Sequence, residues 1–527
     1  MLRRSRGLGR RLMRAALVLM FAALISQPAH ARSLDGEPAT VKAPAGTLEG
    51  RAKDGVEGFA GIPYAAPPVG DLRWRPPAPA PEWPGVRPAA EFGNDCPQVR
   101  FDGDATPSTQ PLSEDCLYLN LWRPAKGARK LPVMVYIHGG AFVAGSAASP
   151  TLDGANLARR GAVVVNFNYR LGRFGFFAHP ALSAEAGGQP DANFAFLDMI
   201  AALKWVQANA AAFGGDPGNI TIFGESAGGA AVDFLMASPL AQGLFHKAIV
   251  QSGANREPYA RLRTDRPTRI SGEKAGAAFA AKAGLADPDA AALRALPADV
   301  VQGQLAMWDM QADRFNGPII DGKSVLADPI ERFTAGDVPR IPFIVGTTSA
   351  ELSEEVFAPA MMDYLKSQLD PASLADLTRA YGDPPAPALI DDYFFKEAAR
   401  GYARIMRDHG APAWRYVFDH VAEADRAKRK GVGHASELAY LFGNLPATAG
   451  PSDRETARLM GDYWVNFARS GHPGGRGLPD WPQAGRKDNL LRIRAGSAAV
   501  EQDSDAARLD AVERHANARR AKEKSIP

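Results

Sequence analysis

Residues 220–228 constrain this chain more than any other stretch. Ile220-Thr-Ile-Phe223 is a strand-forming run, Gly224-Glu-Ser-Ala-Gly228 follows it, and an Ala- and Gly-rich helical stretch opens at Ala227. A strand that turns into a helix around one serine needs glycine on both sides, because a Cβ there would block the close strand–helix approach. The serine takes a strained backbone conformation that lifts its hydroxyl clear of the sheet edge. The helix start adds free N–H groups and partial positive charge. G-x-S-x-G alone also describes a glycine-rich turn with a capping serine. Its place between strand and helix is what points to an exposed nucleophile, Ser226.

Other strand-length runs surround it. Leu117–Trp122 alternates, whereas Pro132–Ile137 is continuously apolar and Ala162–Phe167 is so but for Asn166, as suits strands buried on both faces. Ala248–Val250 and Ile341–Val345 read as further strands, and Phe194–Ala212 carries helical 3–4 spacing. Strands separated by helices predict an α/β protein with a large central, mostly parallel sheet flanked by helices. The 527 residues would ordinarily suggest several domains. No repeat or convincing linker divides them, so one large domain over 32–495 with long insertions is expected. The Pro-rich stretch 60–90 holds Tyr64, Trp74 and Trp83, and aromatics of that size predict irregular chain wrapped on a core. Residues 385–430 are weakly patterned and read as helical, and 496–527 as a charged tail, helical or frayed.

Residues 1–31 carry six Arg and no acid, a short apolar run from Ala15 to Ile25, and Ala29-His30-Ala31. That is the pattern of a cleaved export signal, with cleavage expected after Ala31. Eleven apolar residues are too few to span a bilayer. Arg10-Arg11 resembles a twin-arginine signal only faintly. The whole chain has 61 basic and 58 acidic residues, so losing six arginines turns the balance slightly negative. No nucleic-acid partner and no membrane insertion after cleavage are expected, and the location is periplasmic or extracellular. Cys96 and Cys116 exclude a disulfide-dense miniprotein and a Cys-based zinc framework. In an oxidising compartment they could bridge; two buried free thiols are the alternative.

A serine nucleophile needs an oxyanion site, a base and an acid. His138-Gly-Gly-Ala-Phe142 follows the strand ending at Ile137, and small residues there let main-chain N–H groups reach a tetrahedral oxygen. The expected donors are Gly140, Ala141 and Ala227. In the order Ser, acid, His, the histidines after Ser226 are 246, 409, 420, 434, 472 and 515. His246 follows too closely, His472 sits in a Gly-Pro turn and His515 in the tail. His434, in a Gly-rich loop, is favoured over His409 and His420 but not decided by composition. Glu351, just after the strand 341–345, is the expected acid, and Asp321 in an Asp-Gly turn is its rival. A carboxylate there orients the imidazole and stabilises its protonated form.

These motifs resemble the type-B carboxylesterases, a family that includes para-nitrobenzyl esterases, mammalian carboxylesterases and cholinesterases. The resemblance rests on Phe213-Gly-Gly-Asp-Pro-Gly-Asn-Ile-Thr-Ile-Phe-Gly-Glu-Ser-Ala-Gly228 and Glu114-Asp-Cys-Leu-Tyr-Leu-Asn-Leu-Trp-Arg-Pro124. Gly61–Tyr64, Asn168–Gly172, Gln251–Gly253, Gly433-His434 with Glu437, and Trp481-Pro482 extend it over about residues 40–485. It implies an α/β-hydrolase fold, a Ser226–Glu351–His434 triad, an oxyanion hole of Gly140, Ala141 and Ala227, and a Cys96–Cys116 disulfide. It also implies a secreted serine esterase, a monomer by default, acting on small-molecule esters without metal or organic cofactor. Three positions depart from the family pattern: Ala141 stands for a third glycine, Ala195–Met199 differs from the usual G-L-x-D-Q, and Leu352 replaces the glycine after the acid. Competing readings are a non-catalytic binding or adhesion module, a hydrolase of amides, carbamates or thioesters, and a lipase. Phe142, Trp308 and Phe315 could line a pocket but read better as core.

Overall fold

Runs that are apolar at every position need a sheet covered on both faces. The computed structural model describes residues 32–125, 127, 129–306, 315–355, 358–383, 385–485 and 488–524, and it places those runs at the centre of a 13-stranded sheet. The strands are β1 (Glu37–Ala43), β2 (Gly46–Lys53), β3 (Val56–Pro63), β4 (Val86–Pro88), β5 (Tyr118–Pro124), β6 (Leu131–Ile137), β7 (Val163–Phe167), β8 (Gly215–Glu225) and β9 (Lys247–Gln251). The pair β10 (Ala260–Arg261) and β11 (Ile319–Ile320) stands apart as a small ribbon. The main sheet continues with β12 (Phe343–Thr348), β13 (Ala413–Phe418), β14 (Asn489–Arg494) and β15 (Ser497–Gln502). Its order is β1-β2-β3-β5-β7-β6-β8-β9-β12-β13-β14-β15, with β4 beside β2.

The block from β7 to β14 is parallel, and the outer strands pair antiparallel except β4, which lies parallel to β2. Every residue of β7, β9, β12 and β13 is buried, whereas β1 alternates between exposed and buried, as an edge strand with one wet face should. Ile137 pairs with Gly224, Glu225 with Gln251, and Gln251 with Gly346. The carboxyl ends of β6, β8, β9 and β12 therefore meet at one rim, where open parallel sheets bind ligands.

The helix Phe194–Asn209 starts where the periodicity predicts, then tightens into a 3-10 turn over Ala210–Phe213. Its unusual sequence is absorbed by packing: Met199 is buried in the core, and fully buried Asp198 pairs with Arg170 at 2.7 Å. The Pro-rich stretch wraps the core as expected, with Trp74 buried and stacked 4.5 Å from Phe177.

Two stretches depart from the expectation. Within 385–430, Ala413–Phe418 is not helical but the interior strand β13. Its Arg415 interrupts the apolar pattern, yet it is buried in an ion pair with Asp503. The sheet also runs past residue 495, since Ser497–Gln502 form β15 and Ala506–Lys524 a docked helix. Ala511 and Val512 of that helix pack with Leu352, Met361, Met362, Leu377, Leu389 and Ile390. Arg508, Arg514 and Arg519 pair with Asp392, Asp376 and Glu257. The expected export signal, residues 1–31, lies outside the described residues. Among the described residues, no helix is long and apolar enough to cross a membrane.

Cys96 and Cys116 are joined in a disulfide and both are buried. The bridge closes a segment with a sequence separation of 20, worth about 3 kcal/mol on the loop-entropy model. A Cys96→Ser/Cys116→Ser double variant should lose about that much stability in urea unfolding. An unchanged unfolding midpoint would show that other contacts hold the loop.

Candidate active site

Ser226 stands between β8 and the helix Ala227–Ala237 with φ 56° and ψ −124°, a conformation L-residues rarely take. Its N–H donates to the Gln251 carbonyl at 2.9 Å, and its own carbonyl accepts from Ala230 at 2.9 Å. The flanking glycines are required: a Cβ on Gly224 would lie 2.4 Å from the Gly228 carbonyl oxygen, and one on Gly228 only 2.0 Å from that of Ile137. Ala227 opens the helix, so its N–H has no intrahelical acceptor.

The loop after β6 faces this turn. Gly140, Ala141 and Phe142 take φ of 100°, 53° and 62°, three successive left-handed residues. The Gly140 carbonyl holds the turn by accepting from Val143 and Ala144, both at 2.9 Å. His138 is buried beneath it, stacked 4.3 Å from the Tyr169 ring, and the Tyr169 hydroxyl donates to the His138 carbonyl at 2.9 Å. Burial drives the His138 pKa down to about 4, so this ring is neutral and structural. Gln98, from the disulfide loop, clamps Gly145 by donating to its carbonyl and accepting from its N–H, each at 2.9 Å.

Glu351 follows β12 and is fully buried. One oxygen accepts from the Ser252 hydroxyl at 2.7 Å and the Thr348 N–H at 2.8 Å; the other faces His434 Nδ1 at 2.6 Å. The His434 N–H also donates to the Glu351 carbonyl at 2.8 Å. His434 Nε2 lies 3.2 Å from Glu225 Oε1. Glu437, three residues after His434, is fully buried and accepts from the Gln251 amide at 3.3 Å.

Four titratable groups thus share one buried pocket. Burial raises the pKa of Glu225, partly offset by the attraction of His434. Burial also raises Glu437, with Glu351 adding to it. Burial alone would lower His434, but Glu225 and then Glu351 outweigh it and carry its pKa above the usual imidazole range.

The six histidines separate in space. His434 alone among them pairs with Glu351. His420 is buried against Asp453 at 2.7 Å, His246 accepts from the Ile220 N–H, and His472 accepts from Gly474. His409 lies by Gly336 and His515 by Tyr393. The rival acid, Asp321, is a turn residue that accepts from the N–H groups of Lys323, Ser324 and Val325. Sequence reasoning missed the roles of Ser252, Gln98 and Glu225. Position at the end of β9 is the signal that could have found Ser252.

A cavity of about 250 Å³ exposes Gly139, Gly140, Glu225, Ser226 and His434, walled by Leu352, Glu355 and Phe101–Thr106 of the disulfide loop. Ala141 is exposed above it. Phe142 packs in the core, 5.1 Å from Phe176 and 6.0 Å from Phe196, and Phe315 lies 6.3 Å from Phe176. Trp308 lies outside the described residues. Among the described residues, no three His, Cys, Asp or Glu side chains gather as metal ligands would.

A profile of the carboxylesterase family matches residues 37–381 and 384–512. A fumonisin B1 esterase of Sphingopyxis macrogoltabida is 37% identical over 480 residues, covering 85% of this chain and 84% of the relative. The para-nitrobenzyl esterase of Bacillus subtilis strain 168 is 34% identical over 485 residues, covering 87% and 95%. A solved PNB esterase structure superposes with a TM-score of 0.78 at 32% identity, covering 90% of this chain and 99% of that one. The chain belongs to the carboxylesterase family, has the α/β-hydrolase fold and is a carboxylic ester hydrolase.

Proposed function

We propose that the protein hydrolyses small to medium carboxylic esters through an acyl-enzyme on Ser226, with His434 as base and Glu351 as its orienting acid. The observation that carries this reading is the 2.6 Å contact between buried Glu351 and Nδ1 of His434, a residue that lines the same cavity as Ser226. The Ser226 oxygen attacks the ester carbonyl and His434 takes its proton. The tetrahedral oxyanion is held by the N–H groups of Gly140, Ala141 and Ala227. His434 then protonates the leaving alcohol, and a water repeats the sequence to free the acid. Relatives named for fumonisin B1 and for para-nitrobenzyl esters favour small organic esters as substrates. The N-terminal basic and apolar run favours export of one hydrolase domain, as a monomer, to the periplasm or medium.

Hydrolysis of p-nitrophenyl esters from acetyl to palmitoyl tests the reading. Ser226→Ala should cut kcat by roughly 10³–10⁶-fold; a variant that keeps most activity would end the assignment.

The pH dependence follows from the buried charges. Only neutral His434 can accept the Ser226 proton, and its folded pKa is raised, so kcat/KM should climb as pH rises through that value. Glu225→Gln removes a negative charge that stabilises the imidazolium. Its acid limb should therefore sit at lower pH than that of the parent enzyme. An acid limb unmoved in this variant would show that Glu225 does not act on His434.

A further inference from the structure

Glu351 has its side chain fixed by Ser252 and Thr348, but its backbone is held by a different part of the molecule. The helix Ala388–Asp391 runs into a π-helical turn, Asp392–Lys396, before the helix Glu397–Asp408 resumes. Such widened turns cost hydrogen-bond geometry and cluster at functional sites. Here the segment bonds the chain on both sides of Glu351 and lies against the His434 ring. Asp391 is 1% exposed. Its Oδ1 accepts from the N–H groups of Leu352 at 2.8 Å and Ser353 at 2.9 Å, and its Oδ2 from the Ser353 hydroxyl at 2.5 Å. On the other side of Glu351, the Lys396 ammonium donates to the Ser349 carbonyl at 2.8 Å. The Phe395 ring lies 5.0 Å from the His434 ring.

Leu352 is buried in the cluster formed with Leu389, Ile390, Ala511 and Val512. The loop after Glu351 is thus tied to the segment by an apolar anchor and a three-bond polar one. The segment is itself backed from behind. Asp392 is fully buried and accepts from the Tyr381 hydroxyl at 2.7 Å and from Arg508 of the C-terminal helix at 3.1 Å.

We propose that Asp391 is a positioning residue for the ester-hydrolysing site, holding the 351–353 backbone so that Glu351 meets His434. This rests on Glu351 being the triad acid. A carboxylate bound by three donors is a stiff clamp, because each bond is charge-assisted. Without it, the Leu352–Ser353 amides lose their acceptor and the Glu351 backbone is free to shift. Displacements of about 1 Å can cost about 100-fold in rate.

The test compares Asp391→Ala, Asp391→Asn and Glu351→Gln in the full-length protein, using p-nitrophenyl acetate. Asp391→Ala should lower kcat by about 10- to 100-fold with little change in KM. Its acid limb should also move to lower pH, since a displaced Glu351 stabilises the imidazolium less. Asparagine keeps the Oδ1 acceptor and can donate to the Ser353 hydroxyl, so Asp391→Asn should recover most of kcat and the parent acid limb. Parent-like kcat and pH profile in Asp391→Ala overturn the proposal, whatever its melting temperature. So does an Asp391→Asn variant as impaired as Asp391→Ala. If Asp391→Ala fails to fold, Ser353→Ala removes one of the three bonds, and a parent-like kcat and acid limb in it overturn the proposal equally. Full activity in Glu351→Gln would instead remove the triad reading itself, whereas an impaired Glu351→Gln beside a parent-like Asp391→Ala removes only the role of Asp391.

Discussion

The close approach of the helix Ala227–Ala237 to the end of β6 is the constraint from which the site follows. With 2.0 Å between a would-be Gly228 Cβ and the Ile137 carbonyl oxygen, no side chain fits at that crossing. The chain can make the crossing only by turning sharply at Ser226, and that turn leaves the hydroxyl at the sheet rim. The register does the rest. Ile137 beside Gly224 brings the His138–Gly145 loop to the serine, and Gln251 beside Glu225 brings Ser252 within reach of Glu351. The strain at Ser226 is sustained because β8 and the helix are packed on all sides, so relaxing one dihedral would disrupt both.

A second constraint is electrostatic. Glu225, Glu351 and Glu437 are buried around a single imidazole. Buried carboxylates are costly unless hydrogen-bonded or paired. Glu351 is the best served, its carboxylate held by Ser252, Thr348 and His434, and it alone lies at hydrogen-bond distance from His434 Nδ1. Glu225 meets the opposite nitrogen, on the side of the ring that faces the cavity. The two ends of the imidazole therefore meet different carboxylates: Nδ1 faces Glu351 and Nε2 faces Glu225.

Much of this was legible in residue order. Apolar runs gave β6, β7, β9 and β12 because strands buried on both faces are mostly apolar, and their few polar residues, such as Asn166 and Gln251, are themselves buried. The strand–serine–helix passage and the small-residue loop after β6 marked Ser226 and the loop that faces it, whereas Glu351 and His434 were separated from Asp321, His409 and His420 only by the family resemblance. What was not legible depended on tertiary partners. β13 was hidden by Arg415, whose charge is neutralised only by Asp503 almost ninety residues later. β15 was hidden in an Ala- and charge-rich stretch because it is an edge strand in which only Ala498 is buried. Ser252, Gln98 and Asp391 look like ordinary polar residues in sequence. Their roles arise from backbone groups that reach them only in the folded chain. Leu352 read as a departure from the family pattern, and the fold buries it beside Leu389 and Ile390.

The most direct test of the account is to treat the full-length protein with a small organophosphonate and map the adduct by peptide mass spectrometry. The account predicts one adduct per chain, on Ser226, with activity lost in step, and no adduct over the same period in His434→Ala. An adduct on another residue that tracks the loss of activity, or labelling of Ser226 at the parent rate without His434, would contradict it.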